Sequence, residues 1–221
     1  MSHDDFAFEP VRGLPALLPA GERLLWQGSP RWRSLAVRAY HVRKAAVYFL
    51  ALILWRIGVG LYNSQSASTV AISCAFLLLL GGIAIGVLSL LAYLTARETV
   101  YSITSRRVLI RHGVAVPMTM NIPFTVIEAV GLGNFSDGTG DLAIQVTGEQ
   151  RVGYLITWPH LRPGHVTRPQ PSFRALPDAR QAAAILGEAL KADAGVATVR
   201  VEQPDAAPTT AGVRPRAAAA A

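Results

Sequence analysis

The chain has 221 residues, 51% of them hydrophobic and 16% charged, with a positive mean hydropathy and a formal net charge of +7. That balance argues against a cytosolic enzyme and for a small membrane protein of one or two compact units. The positive surplus gathers beside two apolar runs, where anionic lipid headgroups account for it, so no nucleic-acid partner is expected.

In chain order, residues 1–20 are an extended arm. Phe6 and Phe8 are followed by Pro10, Pro15 and Pro19, and prolines at this spacing block a helix. Such an arm is either a disordered tail or a segment laid along a partner or along the chain's own domain. The start Met1-Ser2-His3-Asp4-Asp5 is acidic, unlike a secretory signal, so the first apolar helix is expected to serve as an uncleaved insertion signal. Residues 21–30 hold one strand, closed by Gly28-Ser29-Pro30, that must pair with something later in the chain. Residues 31–44 interleave Arg31, Arg33, Arg38, Arg43 and Lys44 with Trp32 and Tyr40, a pattern suited to a helix in the headgroup layer.

Residues 45–62 and 69–95 read as two transmembrane helices. Between residues 45 and 95 the only charged side chain is Arg56, and about 20 apolar residues cross a hydrocarbon layer of about 30 Å. The connector Asn63-Ser64-Gln65-Ser66-Ala67-Ser68 is polar, uncharged and short, so the pair forms a hairpin. Arginines and lysine flank its outer ends, with Arg97, Arg106, Arg107 and Arg111 following the second run. The positive-inside rule therefore predicts a multi-pass membrane protein with both termini cytoplasmic and the connector outside.

Arg56 lies about 18 Å along the helix from Lys44, where a lone charge costs on the order of 3 kcal/mol. It either snorkels outward beside Trp55 or pairs with a carboxylate or carbonyl of another membrane protein. Gly82 and Gly86 form a Gly-x-x-x-Gly that lets helix backbones approach closely. The expected contact is with Gly58 and Gly60 of the first span; a homodimer is the alternative. Neither span holds a histidine, so no pigment or haem ligand, and no cofactor, is expected. The lone Cys74, inside the second span, leaves no disulfide framework to propose.

From residue 99 to 193 the period shortens. Runs at 99–104, 107–111, 118–122, 126–130, 142–146 and 152–157, separated by glycine-rich turns such as Asp137-Gly138, predict an antiparallel meander curling into a small barrel or sandwich. Pro123 belongs at a bulge or break. Residues 158–177 read as a proline-rich loop. Asp178 and Gln181 then offer a capping box for a helix carrying Ala183, Leu186, Ala189 and Leu190 on one side. Residues 194–221 read as a disordered tail. No catalytic constellation stands out. Gly131-Leu132-Gly133 lacks the remaining parts of a phosphate loop, His160 and His165 make a poor metal pair, and Asp137 and Asp141 suit turn hydrogen bonding, so the expectation is a non-enzyme.

The run Tyr101 to Gly113, followed by Ile122-Pro123-Phe124 and Gly140-Asp141-Leu142-Ala143-Ile144, resembles a bacterial pleckstrin-homology (PH) domain, in which a transmembrane hairpin often follows the first strand. The motifs Phe8-Glu9-Pro10-Val11-Arg12-Gly13-Leu14-Pro15, Leu18-Pro19-Ala20-Gly21-Glu22 and His41-Val42-Arg43-Lys44 are similar to the PuhB family of photosynthetic-complex assembly proteins.

The resemblance implies an α+β membrane protein: a two-helix transmembrane hairpin inserted in a PH-like antiparallel β barrel or sandwich capped by a C-terminal helix. It implies a factor of the intracytoplasmic membrane that handles reaction-centre or light-harvesting 1 polypeptides. Phe8, Arg12, Arg56, Gly82 and Gly86 are then candidate partner contacts. Arg38, Arg43, Lys44, Arg97, Arg106, Arg107 and Arg111 are candidates for the anionic membrane surface. The alternative is a PH-like module that binds anionic lipid headgroups, as eukaryotic relatives of the fold do.

Overall fold

The computed structural model describes residues 12–14, 16–114, 116–147, 157–164 and 169–194. Strand β1 (Leu24–Gly28) leads into a short helix α1 (Trp32–Arg38). His41, in the left-handed region at φ 54°, breaks the path before α2 (Val42–Tyr62). The segment 31–44, expected as one interfacial helix, is therefore α1 and the first residues of α2, separated by a break at His41. After the turn at Asn63–Ser66, the Ser66 hydroxyl accepts from the Thr69 amide and starts α3 (Ala67–Glu98).

Both long helices are apolar enough to cross a membrane. At about 1.5 Å per residue α2 measures about 31 Å and α3 about 48 Å. The longer helix outlasts its neighbour at the end nearer the domain, and Ala92, Thr95 and Ala96 are buried there. Leu35 and Ala39 of the α1 region pack with Ala96 and Ala175 into a small satellite core. Trp32 sets its ring edge against Tyr93 at 6.2 Å. The hairpin is thus fixed to the domain through a packed overhang.

β2 (Val100–Thr104) follows α3 almost at once and pairs antiparallel with β1, Gly28 opposite Tyr101 and Gln27 opposite Ser102. The chain leaves this sheet at Gly28, makes the hairpin, and returns as the neighbouring strand. β3 (Arg107–His112) and β4 (Met118–Pro123) complete a sheet in the order β1-β2-β3-β4. Pro123 ends the edge strand β4, where a missing backbone donor is tolerated. A 3-10 turn (Phe124–Val126) then passes the chain to a second sheet of β5 (Ile127–Asn134), β6 (Gly140–Val146) and β7 (Ser172–Leu176). Helix α4 (Ala179–Ala194) closes one side.

The two sheets do not join into a closed barrel; the sandwich form of the expectation describes them. Their inner faces meet over Tyr101, Ile103, Ile110, Leu142, Ile144 and Phe173, with Leu186 of α4 against them. β7 lies inside what the sequence suggested was a loop. Arg174 interrupts its apolar pattern and prolines precede it, yet all five of its residues are buried. Apart from Thr157, the strand expected at 152–157 lies outside the described residues. So do Phe8 and the segment 195–221.

Strand direction sets the geometry that matters for function. β1 and β3 run toward the base of the hairpin, β2 and β4 away from it. The β2–β3 turn at Ser105 and Arg106 is consequently at the far end, roughly 16 Å from Val100 at about 3.3 Å per residue. There Glu22, side chain fully buried, accepts from Arg107 Nε at 2.8 Å and Nη2 at 2.6 Å, and from the Thr104 hydroxyl at 2.7 Å. Burial alone would raise the Glu22 pKa; the Arg107 and Thr104 hydrogen bonds outweigh it and hold the carboxylate below its ordinary value.

Candidate functional site

The long helices present bare apolar surface. Val47 is 65% exposed, Leu54 61%, Ile72 72% and Phe76 65%. Surface of this extent on a folded chain marks a contact with lipid or protein. Within the hairpin the close approaches fall at Gly60, whose missing Cβ would strike Val70, and at Gly81, where a Cβ would sit 2.9 Å from Phe49 Cγ. Gly58, Gly82 and Gly86 face open space. The expected packing of Gly82 and Gly86 on the first span is therefore corrected: Gly81 and Gly60 do that work. A helical pitch of 3.6 residues puts Gly81 and Gly82 about 100° apart, so a neighbour in sequence looks another way.

Replacing Gly60 by valine should overpack the hairpin and cost about 1–3 kcal/mol. Gly82→Val should leave thermal unfolding of the detergent-solubilised chain almost unchanged. Equal losses would contradict this packing.

Arg56 lies against α3. Its Nη2 donates to Ser73 Oγ at 3.1 Å, and the Ser73 hydroxyl donates to the Thr69 carbonyl at 3.0 Å. Nη1 is buried beside Gly60 without a hydrogen-bond partner.

Where hairpin meets domain, a buried polar network forms from residues far apart in sequence. The Thr99 hydroxyl donates to the Thr95 carbonyl at 2.7 Å, leaving its oxygen to accept from His160 Nε2 at 3.2 Å. His160 Nδ1 accepts from the Tyr101 hydroxyl at 2.8 Å, and that oxygen accepts from the Arg174 amide at 3.0 Å. Every member is satisfied with His160 neutral and its proton on Nε2. Tyr40, its hydroxyl 2.6 Å from Thr95 Oγ1, adds the segment before α2. Burial raises the Tyr101 and Tyr40 pKa values. Arg174 Nη1 donates to the Leu161 carbonyl at 2.8 Å. Its Nε lies 2.8 Å from Asp141 Oδ2 but out of line for a hydrogen bond, so that contact is electrostatic.

Burial pushes the His160 pKa well below 6.5, reinforced by His112, 5.1 Å away ring to ring, and by Arg174. Burial also lowers His112. A histidine that folding keeps neutral contributes its stability above the unfolded pKa and loses it as pH falls below that value. Stability should therefore drop as pH is lowered from about 7 to about 5. Burial raises the Asp141 pKa against the pull of Arg174, an opposing effect that operates from 3.8 upward. A flat melting temperature across the histidine window would contradict the neutral pair.

The predicted membrane-surface residues divide. Arg43, Lys44 and Arg97 are exposed near the hairpin base, as is Arg33. Arg106 is exposed at the far end. Arg107 is engaged by Glu22, and Arg111 is buried. Arg38 lies 3.4 Å from Asp137 Oδ1 and stacks over Phe135. Those three are therefore spent within the domain, and a headgroup role for them is withdrawn. Burial would raise the Asp137 pKa, but hydrogen bonds from Ser34 and Thr139 and the Arg38 charge hold it far below the carboxylate range. Arg12 belongs to the domain too: its Nη2 donates to the Arg97 carbonyl at 2.6 Å, and Gln27 Nε2 donates to the Arg12 carbonyl at 2.7 Å. With Leu14 buried, this end of the arm lies along its own domain. Among the described residues no group of three histidine, cysteine or acidic side chains is placed to hold a metal.

The hairpin interrupts the antiparallel domain between β1 and β2, and the family comparison matches the chain from the hairpin onward. The family described as "Bacterial PH domain" covers residues 44–190. The chain belongs to the bacterial PH domain family. A relative from Rhodobacter capsulatus is 42% identical over 195 residues, spanning 87% of this chain and 90% of its own. It is called an uncharacterized 23.7 kDa protein in the puhA 5' region. No solved structure matches this PH-domain chain.

The sequence did not point to Tyr101, His160, Arg174 or Glu22. Their partners lie across the fold, and His160 stood only as half of a poor metal pair. A single charged residue between apolar neighbours, Arg174 between Phe173 and Ala175, was the one available signal.

Proposed function

We propose that this protein is a non-enzymatic, membrane-anchored assembly factor for the photosynthetic reaction centre and its light-harvesting 1 antenna. The observation that carries the reading is the exposed apolar hairpin packed at its base against a PH-like domain. The relative in the puhA 5' region and the similarity to the PuhB family support the photosynthetic setting. In this reading α2 and α3 cross the inner, intracytoplasmic membrane, both termini are cytoplasmic, and the loop at Gln65 lies outside. The clients are reaction-centre or light-harvesting 1 membrane polypeptides. Gly82 and Gly86 leave α3 open to a client helix or, in a homodimer, to a second copy. In the same reading the Arg56 charge, held on α3 through Nη2 and Ser73, is the candidate contact for a client carboxylate or carbonyl.

Deletion in a phototroph should lower the assembled core complex while pigment synthesis continues, and Arg56→Leu should weaken co-purification of the client. Normal complex levels after deletion would overturn the reading. A second reading, a module for anionic headgroups, is favoured by the exposed Arg33, Arg43, Lys44 and Arg97. Salt-dependent selectivity for anionic vesicles, with core-complex levels unaffected by deletion, would select it.

A further inference from the structure

The β3–β4 turn is built unlike a solvent-facing hairpin. From Gly113 to Asn121 there is no charged residue. Val114 is 45% exposed, Val116 69% and Met118 43%. Gly113 makes the turn possible: at φ 119° it occupies backbone that side chains avoid, and a Cβ there would strike the Val116 carbonyl. Apolar side chains on a fixed tip are costly in water unless something covers them.

Register says where the tip points. Val100 pairs with Arg111, so continuing the ladder puts His112 level with Thr99 and Gly113 level with Glu98, the last residue of α3. β3 also touches α3. Beyond His112 the turn residues carry the tip back along α3 by up to about 7 Å, two residues at the extended rise of about 3.3 Å. At about 1.5 Å per helical residue that reaches the level of Tyr93. Tyr93 and Trp32 pack edge to face there, both partly exposed, and Leu90 and Leu91, just deeper, are exposed apolar residues. The tip therefore continues the apolar surface of α3 at the depth of an interfacial aromatic pair.

We propose that Val114, Val116 and Met118 form a third membrane contact, inserted at the boundary between headgroups and acyl chains of the bilayer that holds the hairpin. This rests on the membrane reading above. It would fix the tilt of the PH-like domain, presenting the Arg106 end of the sheet to the cytoplasm. A flexible tether could not impose that orientation.

The test uses the full chain with Cys74→Ala, reconstituted in lipid nanodiscs. Single cysteines Val116→Cys, Arg106→Cys and Leu79→Cys carry an environment-sensitive fluorophore. The Val116 label is expected to resist aqueous iodide and to be quenched by lipids spin-labelled near the headgroup. The Leu79 label should be quenched by lipids spin-labelled deep in the chain, and the Arg106 label by iodide alone. A Val116 label open to iodide beside a lipid-quenched Leu79 label overturns the wedge and spares the hairpin. An iodide-accessible Leu79 label would sink the membrane reading itself. Protection at Val116 in native membranes but not in nanodiscs would assign the tip to a protein partner and overturn the lipid assignment.

Discussion

Asp141→Ala should destabilise the detergent-solubilised chain by about 3–5 kcal/mol, because it strands a buried guanidinium. The Arg174 side chain is 6% exposed and Asp141 is its only ion-pair partner among the described residues. Asp141 does a second job. Its Oδ1 accepts from the Ala175 amide at 2.7 Å, and Ala175 sits at φ 52°, in the left-handed region an alanine rarely adopts. The Ala175 carbonyl in turn accepts from the Arg31 amide at 2.8 Å, at the start of α1. Losing one carboxylate thus loosens β7, the start of α1 and, through α1, the seat of the hairpin. Asp141→Asn keeps an acceptor for Ala175 and should cost less than alanine. Denaturant unfolding reads both, and near-neutral alanine and asparagine variants would contradict the network.

Phe173→Ala should cost a further, separate amount of about 3–5 kcal/mol. Its ring is fully buried, stacked on Tyr101 at 4.4 Å and facing Trp26 of β1 at 6.1 Å. β1 is joined in sequence to the hairpin rather than to the rest of its sheet, so its place depends on contacts of this kind. The alanine cavity removes the surface on which Trp26 rests. Limited proteolysis between β1 and α1 should accelerate along with the loss of stability. A cost below about 1 kcal/mol would mean that β1 is held by its ladder alone.

Much of this architecture was legible because hydrophobic period reports it directly. The uncharged run on either side of Asn63 to Ser68 could only be two long helices, and alternation at Tyr101 to Arg111 could only be strands. Three things were hidden. β7 carries a buried arginine, which period reasoning scores as exposed. The burial of Arg111 and the pairing of Arg107 depend on sheet direction, since strand sequence says which residues share a face but not which end faces the hairpin. Gly82 and Gly86 form the recognisable motif, yet the backbone approach is at Gly60 and Gly81, because helix rotation is set by the turn and by the docking of α1. The network around His160 had no sequence signal, its members being brought together only when the second sheet closes on the first.

The account stands on the hairpin as a membrane anchor. The most direct test places a single cysteine at Gln65 in a Cys74→Ala background and applies a membrane-impermeant maleimide to intact spheroplasts and to inverted vesicles. The account predicts labelling of Gln65→Cys in spheroplasts and protection in inverted vesicles, with the opposite pattern for Arg106→Cys. Labelling of both positions from the same side, or recovery of the chain in the soluble fraction without detergent, would contradict it.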